Sequence, residues 1–229
     1  MLLYIHGYQG SPGDKFDRVV RVFGGLYEDI RAPQLSNVNV ASDLARLREL
    51  LPEEDGRGGR PHLIVGNSLG GFYAWHLCRQ RTDALCLLIN PALAPFILLN
   101  REAGAAPDFL RDLLRCFSES YLNGRFPRTW AAYCLDDEVI GHGETTVPIL
   151  RPVEGREETG AVLIPIERGG HGFTDTEALE AVFDRVRQDI EDSFGSARVS
   201  GAPEVPPLSG KDRSETAARQ PLGAGGRVK

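Results

Sequence analysis

Ser68 is the residue from which chemistry can be read outward. It stands in Gly66-Asn67-Ser68-Leu69-Gly70-Gly71, between the apolar run His62–Val65 and a helical pattern over Leu69–Arg79. Glycines flanking a serine in a strand-to-helix turn make the Gly-x-Ser-x-Gly pattern of a nucleophile elbow. The turn is sharp, so the backbone passes close on both sides, where a Cβ would collide. It lifts the hydroxyl clear of the sheet and sets it at a helix N-terminus. There the Leu69 amide and the helix dipole face developing negative charge. The plainer alternative is an ordinary capping serine in a tight turn.

A serine hydroxyl needs a base within hydrogen-bond reach, and the base needs an orienting acid. Three histidines follow Ser68 in the chain: His76, His142 and His171. His76 lies on the helix after Ser68, two turns along, and points away from the elbow. His142 sits in a Gly-His-Gly loop and is the weaker competitor. His171, in Arg168-Gly169-Gly170-His171-Gly172-Phe173, follows an apolar run and precedes the last helix. Its glycines let that loop curl over the sheet edge, so His171 is the expected base. For the acid, Asp136, Asp137 and Glu138 follow the run Thr129–Leu135. A carboxylate followed by one residue and then two apolar anchors selects Asp137, ahead of Val139 and Ile140, with Asp136 as the alternative. Asp136 and Glu138 are then expected to face water. A second amide for a developing oxyanion is expected from Tyr8, because Gly7 lets the loop after Leu2–His6 turn toward Ser68. His6 itself is read as a brace for that loop.

These residues must be carried on a frame, and the pattern supplies one. Expected strands are Leu2–His6, Tyr27–Arg31, His62–Gly66, Ala84–Ile89, Thr129–Leu135 and Ala161–Ile166. Expected helices are Phe16–Phe23, Val40–Leu51, Leu69–Arg79, a mostly helical stretch over Ala94–Leu122 broken around Gly104–Pro107, and Asp175–Phe194. Asp55–Arg60 reads as a loop. Alternating strands and helices predict an α/β fold with a mostly parallel sheet and helices on both faces. In such sheets functional residues gather at the carboxyl ends of the strands. Ala94–Leu122 is apolar enough to form a short helical, lid-like insertion that lines an acyl pocket, or to pack as ordinary helix on sheet.

Composition bounds the rest. The chain has 229 residues, 41% hydrophobic and 25% charged, enough for one sizeable core. A net charge of −6 argues against a nucleic-acid or anionic-membrane binder. No apolar run approaches the roughly 18 residues of a membrane span, and no secretory signal is read at Met1–Gly7. Cys78, Cys86, Cys116 and Cys134 match no zinc or redox spacing and are expected as free buried thiols. A cytoplasmic location is the expectation. Residues 1–195 form the expected domain. Residues 196–229 contain no aromatic residue, carry a net +3 against −9 for the body, and are expected to be a disordered tail.

The pieces LLYIHGYQGSPGDK, IVGNSLGGFYAWHL, LLINPALAPF, LDDEV and ERGGHGF occur in this order across residues 1–175. In them the chain resembles the α/β-hydrolase superfamily and, within it, the small YqiA-like esterases of bacteria. The resemblance implies an α/β-hydrolase fold and a serine esterase or thioesterase acting on small acyl esters or acyl thioesters. It puts Ser68, Asp137 and His171 in the triad positions. It implies no metal and no organic cofactor. Two other functions compete. A catalytically inactive binding module of the same fold is one, although such modules typically lose the serine or the histidine. A nucleotide-binding loop at Gly7–Lys15 is the other, although it lacks Gly-Lys-Ser/Thr and Asp14 would repel phosphate.

Overall fold

The apolar runs of the chain assemble side by side into one sheet. In the computed structural model, which describes residues 1–53, 60–102, 105–123, 125–151 and 161–194, the strands are β1 (Leu2–Ile5), β2 (Ile30–Arg31), β3 (His62–Asn67), β4 (Ala84–Ile89), β5 (Thr129–Cys134) and β6 (Val162–Ile166). The helices between and after them are α1 (Asp14–Phe23), α2 (Val40–Leu50), α3 (Leu69–Arg79), α4 (Pro95–Glu102), α5 (Pro107–Asn123), α6 (Thr146–Leu150) and α7 (Thr176–Phe194). The strand order is β2-β1-β3-β4-β5-β6, and each described pairing is parallel.

Successive side chains of a strand point to opposite faces, so a strand covered on both faces must be apolar throughout. That is why β3 and β4 read as unbroken hydrophobic runs. Leu3, Ile5, Ile64, Cys86, Leu88 and Ala131 face a core built with α2, α3 and α5. Their neighbours Leu2, Tyr4, Leu63, Val65, Leu87 and Trp130 face a second core built with α1 and α7. Truncating a fully buried leucine such as Leu63 to alanine costs about 2–5 kcal/mol in such packing. Chain order reverses between β1 and β3, and the crevice beyond the strand ends at that switch is where this architecture binds ligands.

Most expected elements are present within a residue or two of their expected ends. The second strand is shorter than its pattern. Tyr27 donates its amide to the Phe23 carbonyl at 3.1 Å, closing the turn after α1, so only Ile30 and Arg31 pair with β1. The stretch over Ala94–Leu122 resolves into α4 and α5. Residues 55–59 of the expected Asp55–Arg60 loop and the tail over 196–229 lie outside the described residues. All four cysteines are buried and free. Among the described residues no helix is long and apolar enough to cross a membrane.

Candidate active site

Two glycines explain how β3 turns into α3 within a few residues. A Cβ on Gly66 would meet the Gly70 carbonyl and sit 2.6 Å from the Gly71 Cα, and one on Gly70 would meet the Ile5 and His6 carbonyls. Ser68 between them has φ 53° and ψ −120°. A non-glycine residue in that region stores of order 1–3 kcal/mol of strain, held by its surroundings. Here the Ser68 amide donates to the Ile89 carbonyl at 3.0 Å, and its own carbonyl accepts the Gly71 and Ala92 amides at 2.9 and 3.0 Å. Ser68 occupies the N-cap position of α3 but makes no capping hydrogen bond. Its hydroxyl is turned instead to His171, with Oγ 3.0 Å from Nε2.

On the far side of that imidazole, Nδ1 lies 3.0 Å from Asp137 Oδ2. An ionised carboxylate only accepts, so Nδ1 carries the hydrogen and Nε2 is left to accept from the serine. Asp137 Oδ1 accepts the Val139 and Ile140 amides at 2.9 and 2.8 Å. The two apolar residues that selected Asp137 in the sequence therefore anchor it through their backbone as well. Burial opposes ionisation of Asp137, but hydrogen bonds from His142, His171 and the Ile140 and Val139 amides outweigh it and hold the carboxyl well below its usual range.

The other two carboxylates were expected to face water. They are exposed or nearly so, yet both grip the histidine loop. Asp136 accepts the Gly170 and Gly169 amides at 2.9 and 3.2 Å, and those bonds lower its pKa. Glu138 accepts the His171 amide at 2.9 Å. The physical reason is the parallel register of β5 and β6, which pairs Cys134 with Ile166 and so sets the two following loops side by side. Asn90, fully buried at the end of β4, completes the frame. Its Nδ2 donates to the Gly170 and His171 carbonyls at 2.9 and 3.0 Å, and its Oδ1 accepts the Cys134 amide at 2.8 Å.

His142 is not a second base for Ser68, but neither is it detached from the site. Its Nε2 lies 2.9 Å from Asp137 Oδ2, the same oxygen that meets His171, and its Nδ1 lies 2.8 Å from Thr146 Oγ1 on α6. Neither contact was readable beforehand. The five-residue α6 contains Pro148 and is too short to show periodicity. The available signal was a histidine five residues past the acid. His76 is buried on α3 and reaches no part of the site.

Tyr8 and Leu69 both line a cavity of about 400 Å³ that also takes in Ser68, His171, Leu98 and Ile140. Among the described residues neither the Tyr8 nor the Leu69 amide donates a hydrogen bond. The two loops approach closely: a Cβ on Gly7 would lie 3.1 Å from Ser68 Cβ. His6 braces the first loop as expected, accepting the Leu35 amide at Nε2 (3.1 Å) and donating from Nδ1 to the Gly7 carbonyl (2.8 Å). The apolar insertion divides its labour. Pro95, Leu98 and Leu99 of α4 line the cavity, whereas Phe109, Leu113 and Cys116 of α5 are buried in the core.

The sheet order, the elbow at the switch point and the helices on both faces define an α/β-hydrolase fold. Residues 1–109 match the model of the uncharacterised protein family UPF0227, the YqiA-like family that the motifs resemble. Solved structures share the fold. Est1E from Butyrivibrio proteoclasticus is 14% identical, with a TM-score of 0.62, over 85% of this chain and 88% of its own. The esterase domain of a Rhodothermus marinus protein is 12% identical, with a TM-score of 0.60, over 83% and 86%. The mouse alpha/beta hydrolase domain-containing protein 10 is 13% identical, with a TM-score of 0.56, over 84% and 90%. At these identities the likeness speaks for the fold.

Proposed function

We propose that the protein is a serine hydrolase that cleaves small acyl esters or thioesters through an acyl-serine intermediate. The observation that carries this reading is the line of two hydrogen bonds from Ser68 Oγ through His171 to Asp137, each 3.0 Å, opening onto a largely apolar cavity. An acyl chain would lie against Leu98, Leu99 and Ile140, with its carbonyl over Ser68. His171 Nε2 takes the hydroxyl proton as Oγ bonds to the carbonyl carbon, and Asp137 stabilises the imidazolium that forms. The Leu69 and Tyr8 amides, which have no other acceptor among the described residues, are the donors for the oxyanion. Collapse breaks the bond to the leaving oxygen or sulfur, which receives the proton from His171. Water, activated by the same nitrogen, then attacks the acyl-serine and returns the hydroxyl.

The strain at Ser68 suits this role, because a hydroxyl held in a fixed, uncapped position need not be reoriented during the reaction. The test is hydrolysis of p-nitrophenyl butyrate and of a short acyl thioester, alongside labelling by a fluorophosphonate probe. Turnover and labelling are both expected, and both are expected to vanish in Ser68→Ala. A wild-type protein that neither labels nor turns over any member of an acyl-ester and acyl-thioester panel would refute the reading.

A further inference from the structure

We infer that His142 is a positioning residue for the acid, part of a ring of close polar contacts that begins and ends at Ser68. The inference rests on the serine-hydrolase reading, in which Asp137 acts through His171. From Ser68 Oγ the path runs to His171 Nε2 (3.0 Å) and from His171 Nδ1 to Asp137 Oδ2 (3.0 Å). It continues from Asp137 Oδ2 to His142 Nε2 (2.9 Å) and from His142 Nδ1 to Thr146 Oγ1 (2.8 Å). Thr146 Oγ1 lies 3.0 Å from the Pro91 carbonyl, and the amide of the next residue, Ala92, donates to the Ser68 carbonyl at 3.0 Å. The ring thus joins the loops after β3, β4, β5 and β6.

Proton counting fixes one bond of this ring. Asp137 is held ionised and only accepts, so His142 Nε2 must carry a hydrogen. That holds for either state of the other nitrogen. A neutral His142 has a bare Nδ1, which accepts the Thr146 hydroxyl. A protonated His142 donates from Nδ1, and the Thr146 hydroxyl turns to the Pro91 carbonyl. The hydroxyl rotor serves both, so the bond from His142 to Asp137 survives either way. Thr146 is fully buried and His142 nearly so, which leaves no water to substitute for a lost partner.

The bond has mechanical work to do. The Val139 and Ile140 amides pin Oδ1 only, and a carboxylate pinned at one oxygen can still swing the other. His142 holds Oδ2, the oxygen on which the His171 tautomer and ring angle depend. His142 is absent from the cavity wall, so it acts through Asp137 and not on substrate.

The test compares His142→Gln, His142→Asn and His142→Leu in the full chain, with p-nitrophenyl butyrate as substrate. A glutamine amide reaches the Nε2 position and can still donate to Asp137. An asparagine amide reaches only the Nδ1 position, and leucine offers no donor. Leucine and asparagine are expected to lower kcat by about 10- to 100-fold, the scale of a misplaced catalytic group, with KM nearly unchanged. Glutamine is expected to recover most of that loss. The low-field proton resonance of the His171 Nδ1–H is expected to stay sharp in His142→Gln and to broaden in the other two. That signal reports positioning without turnover, so it separates this inference from the esterase reading. Full kcat in His142→Leu would overturn the role. So would equal activity and equal spectra in the glutamine and asparagine variants, a comparison that stands even if the leucine variant does not fold.

Discussion

Ser68 and Ser120 each sit against a histidine, yet the two pairs are wired in opposite senses. At the strand ends, His171 receives the Ser68 hydroxyl on Nε2 and turns its other nitrogen to a carboxylate. Between α3 and α5, Ser120 Oγ is hydrogen-bonded to His76 Nδ1, and the other nitrogen faces donors: the Gln80 amide at 3.0 Å and the Arg48 guanidinium at 3.4 Å. Burial and then the Arg48 charge push His76 down to about 4. With Nε2 committed to accepting, Nδ1 carries the hydrogen and donates to Ser120, so the serine has no base. His76 is 1% exposed, whereas the His171 side chain is 24% exposed. The pairing of a serine with a histidine is therefore not what makes a nucleophile. On the proposed reading, the group behind the imidazole and the opening in front of it decide the matter.

The comparison breaks most sharply at the serines. Ser68→Ala should lower ester turnover by roughly 10⁴–10⁶. Ser120→Ala should keep turnover within about threefold, on the general scale of substitutions outside a catalytic site. Mass spectrometry after fluorophosphonate treatment should find the adduct on Ser68 and none on Ser120; an adduct on Ser120 would undo the argument. Next comes the group behind the imidazole. Asp137→Asn should cost about 10⁴ in kcat at neutral pH, by loss of the correct tautomer. Asp136→Asn alters the hold on the Gly169 and Gly170 amides and the attraction to Arg168, and should stay within about tenfold. The reverse ranking in steady-state assays would transfer the acid role to Asp136.

A smaller effect separates the histidines by stability. His76 has a lowered pKa in the folded state, so the unfolded chain binds its proton first as pH falls. Stability is full above about pH 6.5, the unfolded value, and declines by at most about 1.4 kcal/mol per pH unit down to pH 4. Urea titrations across that window should show the decline, and His76→Gln should flatten it. An unchanged slope in the variant would locate the acid sensitivity elsewhere. The least change is expected on deleting residues 196–229, which hold no aromatic side chain to bury. Calorimetry should then find the melting temperature within about 2 °C of the full chain, less than the shift from 1 kcal/mol in a domain of this size.

What the sequence made legible was what local spacing controls. The elbow is written into five consecutive residues because the collision of backbone with Cβ is local. His171 was readable because glycines and a preceding strand mark a loop that curls over the sheet. Asp137 was readable from the two apolar residues behind it. The grip of Asp136 and Glu138 on the histidine loop was not, because it arises from β5 and β6 lying in register across the sheet. Asn90 was legible as a residue at the carboxyl end of a strand, but its role was not, for the same reason: its three partners belong to β5 and to the loop before α7. His142 reads from its Gly-His-Gly loop as the weaker competitor for the base, and among the described residues it makes no hydrogen bond to Ser68; its contact with the acid was not legible, because it depends on how the loop past β5 folds back.

The ring around Ser68 also has a bearing on time. Ser68 and His171 are 103 residues apart, and they meet only once β5 and β6 have joined the sheet edge. Contacts so remote in the chain pay their loop-closure entropy late. During refolding, the burial of Trp75 on α3 reports the collapse of one core, while the return of the proposed activity reports the docking of the final strand. A refolding experiment on a Trp130→Phe variant, in which Trp75 is the remaining tryptophan, that follows emission and ester cleavage together would therefore read two successive events in the assembly of one sheet, with the proposed activity as the clock for the second.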